Sequence, residues 1–390
     1  MDLAVTFQEH FDAKPHWLGR APGRVNLLGE HVDYNEGVVL PIAIDRAVQI
    51  AAAPAEDGLV TLHSLDLSEQ VIFSLEALEA KKDIMGKPLP HWARYPAGVA
   101  WSLQHAGKPV SGMKAVYTSD VPIGAGLSSS AAVEVAFAVT WSALDGWKED
   151  AVTVAKWCQR AENAYVGVNC GLMDQFASAC GVAGHALYFD TRSLQWRPLP
   201  LPPRTAVVIA DSGVRRSLAA SAYNERRAAC EEAVKILNQY LPHVHSLRDI
   251  STVEFAAYSE FLPETTRKRA EHVVKEMARV EQAVMCLKKG DAQLFGGLMY
   301  AGHNSLRDLY EVSCPELDIL VQATRSIPGC YGARLTGAGF GGCTVNLVDE
   351  AQAQSFIQRL GEAYHRQTGR EASIYLCRAS AGASAHRLSA

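Results

Sequence analysis

Four ionisable residues crowd one glycine-bounded turn near the N-terminus. Arg24, Glu30, His31 and Asp33 all fall within Gly23-Arg-Val-Asn-Leu-Leu-Gly-Glu-His-Val-Asp-Tyr34. Val25 to Leu28 is apolar, and Val38 to Ile44 reads as a strand interrupted by Pro41. A polar cluster between two apolar runs presents side chains to a small polar ligand. Arginine forks onto phosphate or carboxylate. Glu, His and Asp exchange hydrogen bonds with sugar or alcohol hydroxyls. Glu36 and Asp45, close by, read as solvated charges. A further acid, Asp174, sits among Leu172, Met173 and Phe176. An acid in an apolar run is costly unless paired. It is either a helix cap or a working group beside a cation, and Arg24 is the expected partner. Glu162 falls near the end of a helix expected over 149–166, where acid opposes the helix dipole. A bound cation would account for it; solvent exposure is the simpler expectation.

The stretch that organises the rest is 121–134, Val-Pro-Ile-Gly-Ala-Gly-Leu-Ser-Ser-Ser-Ala-Ala-Val-Glu. Met113 to Thr118 before it reads as a strand. Ala131 to Leu144 after it is apolar almost all round, as a buried helix is. Gly124 and Gly126 allow close backbone approach or positive φ. Ser128, Ser129 and Ser130 stand where the helix should start, the place where serine caps best. Free N–H groups at such a start bind anions, phosphate above all. The Walker A pattern is absent, because the loop has no lysine. The dinucleotide pattern fails at Ser129, which replaces its third glycine, and Asp145 ends a helix rather than a strand. What remains is a phosphate loop of another class, set against the plainer reading of a well-capped helix.

These residues need elements to hold them. A chain of 390 residues suggests two or three domains. Hydrophobic content of 48% and charged content of 20% suit a globular enzyme. A net charge of −5 gives no support for nucleic acid as a partner. Nine scattered cysteines without a Cys-x-x-Cys pair point to reduced thiols rather than zinc. No signal peptide or membrane-spanning run is visible, so a cytoplasmic protein is expected.

Along the chain, 1–18 reads as a short amphipathic helix, 46–75 as an antiparallel meander, and 90–105 as a helix whose aromatics face the core. Strands are expected near Leu187, Trp196 and Val207. Long helices are expected over 216–240, containing Tyr223, and over 251–326, with Arg267 to Arg269 on a solvated face. Residues 333–348 read as two strands around a loop with Gly337, Gly339, Gly341 and Gly342, more glycine than a hairpin needs. A helix (350–366) and a strand (373–378) follow, and the small, polar tail 379–390 reads as loose.

Three motifs together resemble one family. Gly23 to Tyr34 is similar to the galactokinase signature. Gly124-Ala-Gly-Leu-Ser-Ser-Ser-Ala131 resembles the phosphate loop of the galactokinase, homoserine kinase, mevalonate kinase and phosphomevalonate kinase superfamily, and Gly337-Ala-Gly-Phe-Gly-Gly342 its third motif. The resemblance runs from about Leu18 to Cys377. It implies an α/β (α+β) two-domain small-molecule kinase fold with the active site in the cleft between domains. The expected division is 1–200 and 201–390, near the proline-rich stretch 198–203. The third motif would pack near the phosphate loop.

The resemblance also implies roles. Gly124, Ala125, Gly126, Leu127, Ser128, Ser129 and Ser130 would wrap the phosphates of ATP, with Ser130 and Glu162 holding Mg²⁺. Glu30, His31, Val32, Asp33, Gly171 and Tyr223 would contact the sugar. Asp174 matches the catalytic acid–base residue and Arg24 its charge-stabilising partner. The implied activity is transfer of the γ-phosphoryl group of ATP to the anomeric hydroxyl of α-D-galactose. Alternatives are a kinase for a related sugar such as N-acetylgalactosamine, and a galactose-binding regulatory sensor. Sensors lose a Ser-Ala pair from the phosphate loop; here Ser129 to Ala132 is intact. A mevalonate or homoserine kinase would leave Glu30, His31 and Asp33 without purpose.

Overall fold

The computed structural model describes residues 2–215 and 219–388. Its first strands are β1 (Trp17–Asn26), β2 (Val38–Val39), β3 (Pro41–Ala55), β4 (Leu59–Ser64), β5 (Glu69–Ser74) and β6 (Gly112–Ser119). Then come β7 (His185–Asp190), β8 (Trp196–Pro200), β9 (Thr205–Asp211), β10 (Cys330–Thr336), β11 (Cys343–Asp349), β12 (Ser373–Cys377) and β13 (Ser384–Arg387). The helices of the first half are α1 (Leu3–Phe11), α2 (Arg94–His105), α3 (Ser129–Asp145), α4 (Ala151–Arg160) and α5 (Met173–Cys180). Those of the second are α6 (Ala219–Leu237), α7 (Thr252–Tyr258), α8 (Glu264–Lys289), α9 (Ala292–Ser305), α10 (Pro315–Thr324) and α11 (Ala353–Thr368).

The first sheet has the order β13-β1-β3-β6-β4-β5, and α2, α3 and α4 share one core with it around Phe137 and Trp141. Helix α3 is largely apolar because most of it is covered: Ala131, Val135, Phe137 and Trp141 are fully buried. It ends at Gly146, whose φ of 70° makes the left-handed C-terminal cap. A second sheet, β10-β11-β9-β12, is antiparallel throughout. A small third sheet, β2-β7-β8, has β8 at its edge. The stretch 198–203 therefore begins as an edge strand, where Pro198 and Pro200 are tolerated because no central ladder needs their N–H.

Several expectations are corrected. Helix α1 stops at Phe11, where Asp12 takes φ 48°, well before Pro15. Residues 46–75 are not a simple meander: β6 lies between β3 and β4, and β4 pairs with β6 in parallel. Trp92 and Trp101 are only half-buried; their indole N–H groups donate to Glu69 and Glu79. Arg269 is buried, donating to Leu309 O and, at 2.6 Å, to Glu311, so the solvated face expected over 267–269 holds for exposed Arg267 but not for Arg269. Residues 384–387 of the tail are not loose: β13 pairs antiparallel with β1, Trp17 opposite Arg387, and returns the last strand to the first sheet. The start of the expected helix 216–240 lies outside the described residues; α6 is seen from Ala219. All nine cysteines are free. No helix among the described residues is long and apolar enough to cross a membrane.

Candidate active site

Strand β1 delivers Arg24, and α5 delivers Asp174 in its first turn, where an acid suits the helix dipole. They meet as a fork: Arg24 Nε donates to Asp174 Oδ1 at 2.8 Å and Nη2 to Oδ2 at 2.7 Å. Arg24 Nη1 also donates to Gly126 O at 2.7 Å, tying the pair to the glycine loop. Ser128 takes φ 57°, and its side chain does not cap α3. Its hydroxyl donates instead to Asp174 Oδ2 at 2.5 Å. Left-handed backbone at a non-glycine residue persists where the surroundings demand it, often at functional sites.

Around Asp174 lies a cleft of about 350 Å³, lined also by Glu30, His31, Asp33, Gly171 and Tyr223. Val32 is not part of it; its side chain is fully buried in the core. Burial, with His272 nearby, pushes His31 down to about 3, so its imidazole is neutral. His31 Nδ1 is 2.9 Å from Tyr34 Oη, which is 2.7 Å from Tyr310 Oη, while Nε2 has no partner. Burial and then the charge of Asp174 push Asp33 up to about 6. Gly171 leaves room for Asp33: a Cβ there would lie 1.8 Å from Asp33 Oδ2.

Glu30 is backed by charges that the sequence did not announce. Arg334, fully buried on β10, donates to Glu30 Oε2 at 3.2 Å and to Glu276 Oε1 at 2.9 Å. Glu30 Oε1 accepts the N–H of Gly337 at 2.9 Å, so the polar turn holds the glycine loop of the third motif. Burial raises Glu30 to about 7 against the pull of Arg334.

The two glycine loops pack against each other, as expected. A Cβ on Gly337 would meet Gly126 O at 2.9 Å, and one on Gly342 would meet Ala125 O at 2.9 Å. Ala125 and Leu127 point into the core, leaving the loop backbone for a ligand. A second cavity, about 420 Å³, opens here between Gly124, Gly126 and 339–342. Arg215 lines it and is forked onto Asp211 at 2.6 and 2.8 Å. Its sequence signal was only an Arg-Arg pair, 215–216, after a strand.

Glu162 is buried, contrary to the expectation of solvent exposure. Helix α4 runs into a π-helical turn (Ala161–Val166), and this wider turn carries Glu162 inward. Burial raises it to about 6, opposed by hydrogen bonds from Cys170, Ser130 and Gln175. Glu134 on α3 is fully buried nearby, and burial drives its carboxyl far above the usual range. Among the described residues no lysine or arginine pairs with either acid. No cluster of three or more His, Cys, Asp or Glu there has a metal-holding arrangement.

Comparison with known proteins decides the family. A family model described as the galactokinase galactose-binding signature matches residues 5–54. Models of the GHMP kinases N terminal domain and of the GHMP kinases C terminal region match 94–182 and 283–366. A galactokinase of a Roseiflexus species is 49% identical over 381 residues, covering 98% of this chain and 96% of that one. The chain belongs to the galactokinase family. The human galactokinase is 43% identical over 97% of this chain and 94% of its own. The crystal structure of Lactococcus lactis galactokinase complexed with galactose superposes with a TM-score of 0.92, at 34% identity and 98% coverage of both chains. A Methanococcus jannaschii mevalonate kinase shares the fold, with a TM-score of 0.67, 20% identity and coverage of 94% and 98%. Galactokinases and the wider GHMP kinases are ATP-dependent phosphotransferases, and the α/β two-domain kinase fold is that of this chain.

Proposed function

We propose that this galactokinase-family chain transfers the γ-phosphoryl group of ATP to the anomeric hydroxyl of α-D-galactose, giving α-D-galactose 1-phosphate. The observation that carries this reading is the position of Asp174. It is forked by Arg24 and touched by Ser128 at the border between the hydroxyl-binding cleft and the glycine loops. The likeness to a galactose-bound galactokinase supports the choice of sugar.

Phosphoryl transfer is mostly positioning and electrostatics. Glu30, neutral His31, Asp33 and Tyr223 hold the sugar hydroxyls, with the Gly171 backbone beside them. Asp174 accepts the proton of the anomeric hydroxyl as it attacks. Arg24 places positive charge beside the transferring group. The backbone of 124–130, with Arg215, faces the nucleotide phosphates. Ser130 and Glu162 suit Mg²⁺: a hydroxyl and a buried carboxylate with no protein cation are hard oxygen donors for an ion that takes few protein ligands. When bound, Mg²⁺ supplies charge neutralisation across the phosphates. We place the two units at 1–200 and 201–390, with β13 returning to the first.

The test is ADP release from Mg²⁺-ATP over galactose, N-acetylgalactosamine, galacturonate, arabinose and glucose, with mevalonate and homoserine as controls. Phosphorus NMR reads the position modified. Turnover on galactose with an anomeric phosphate is expected. Galactose binding without ADP release would favour the sensor, and turnover on another sugar alone would overturn the pocket assignment.

A further inference from the structure

Two fully buried polar side chains beside the transfer centre have no part in the reading above: Gln175 and Glu134. Gln175 follows Asp174 on α5. Adjacent helical residues point about 100° apart, by the 3.6-residue turn. The same turn of helix therefore sends Asp174 to the cleft and Gln175 towards α3 and the π-helical turn. Gln175 Nε2 donates to Glu162 Oε2 at 2.6 Å and to Glu134 Oε2 at 3.0 Å. The orientation of the amide is set by these neighbours. Rotated by half a turn, it would press its oxygen against Glu162 Oε2, which accepts and cannot donate when ionised.

The contacts are also one-sided. Gln175 and the Cys170 thiol, at 3.3 Å, both fall on Glu162 Oε2. Neither of these two donors uses Oε1. Meanwhile Gln175 Oε1 and Glu134 Oε1 are buried without partners. A network kept for stability alone would satisfy them, so their persistence calls for another reason. Resting on the assignment of Glu162 above, we propose that Gln175 is a positioning residue. It holds the Glu162 carboxylate in the orientation presented to the divalent cation, and Glu134 holds the Gln175 amide. Hydrogen-bond partners of metal ligands commonly set metal affinity within a factor of about 10 to 100.

The test is Mn²⁺ titration of the enzyme with ADP, followed by electron paramagnetic resonance, for the wild type, Gln175→Met, Glu134→Met and Glu162→Gln. Galactose affinity is measured by calorimetry without metal. Gln175→Met should weaken Mn²⁺ binding about 10-fold and Glu134→Met by a smaller factor, with galactose affinity unchanged in both. Wild-type Mn²⁺ affinity in Gln175→Met, alongside a loss in Glu162→Gln, overturns this inference alone. Wild-type affinity in Glu162→Gln overturns the metal assignment beneath it. Equal losses of Mn²⁺ and galactose in Gln175→Met mean a merely structural role and also overturn it. If Gln175→Met does not fold, Glu134→Met decides, and unchanged Mn²⁺ affinity there sinks the proposal.

Discussion

The hydroxyl of Ser128 donates to Asp174 Oδ2 at 2.5 Å, joining the residue at the head of α3 to the acid at the head of α5. Arg24 completes the clamp from β1 and also grips Gly126 O. Three elements thus fix one carboxylate between the sugar cleft and the glycine loops. The acid is aimed by its partners rather than by its own backbone alone.

Removing that acid tests its assigned role. Asp174→Asn keeps the shape and loses the proton acceptor, so kcat should fall by at least about 10²-fold. Ser128→Ala removes one hydrogen bond to a charged group, roughly 1.5–3 kcal/mol, so a fall of about 10-fold or more is expected with KM for galactose little changed. Steady-state kinetics of both variants check this; near-normal turnover in Asp174→Asn would remove it from the chemistry.

Asp33 gives the site a pH dependence. Its carboxyl is raised from 3.8 to about 6, first by burial and then by Asp174. In that window the folded protein holds a proton that the unfolded chain has released, so this group's contribution to stability falls as pH rises from 3.8 to 6. Sugar hydroxyls donate to the ionised form, so galactose affinity drops as pH falls below about 6. Asp33→Asn mimics the protonated acid. Calorimetry without nucleotide should therefore show the wild type binding galactose more tightly than the variant at pH 7.5, and the gap closing by pH 5. A constant gap would show that Asp33 does not titrate against the sugar.

Gly171 has a narrower tolerance than its place in a loop suggests. A Cβ would meet Asp33 Oδ2 at 1.8 Å, a contact that forces the carboxylate out of place. Gly171→Ala should raise KM for galactose by about 10-fold or more, the scale of one lost charged hydrogen bond, and leave KM for ATP near its original value. A parallel rise in both constants would mean that the loop, not Asp33, had moved.

Much of this site was legible because its chemistry is local. The spacing of Glu30, His31 and Asp33, the cost of an acid beside Leu172 and Met173, and the glycine and serine run of 124–130 each carry their signal within a few residues. What stayed hidden depends on distant pairing. Nothing near β4 says that β6, about 50 residues later, will enter between it and β3. Nothing in residues 384–387 says that they will meet β1. Glu162 was misread because the π-helical turn that buries it has no pattern in composition or periodicity. Glu134 left a trace, an acid in the midst of an apolar run, that invited the same argument as Asp174. Arg334 and Glu276 were invisible, since each looks ordinary until the other is beside it.

That last pair makes a stability prediction. Arg334 and Glu276 are both fully buried, 2.9 Å apart, and Glu276 also accepts from Arg279 at 2.7 Å and from the Gly29 N–H at 2.9 Å. Taking one charge from a buried pair leaves the other uncompensated, which destabilises by about 3–5 kcal/mol. Glu276→Gln should lose that much in urea unfolding at pH 7. Arg334→Met with Glu276→Met should lose less than the sum of the single changes, because that sum counts the Arg334–Glu276 attraction twice. Burial alone would raise the Glu276 carboxyl, but Arg334 and Arg279 outweigh it and hold it well below the usual range. A depressed acid contributes stability that is present above its ordinary value of 4.5 and is lost as pH falls below it. The gap between wild type and Glu276→Gln should therefore be full at pH 7 and shrink as the solution is taken below pH 4.5. A gap independent of pH would mean that Glu276 acts through packing and its bond to Gly29, not through its charge.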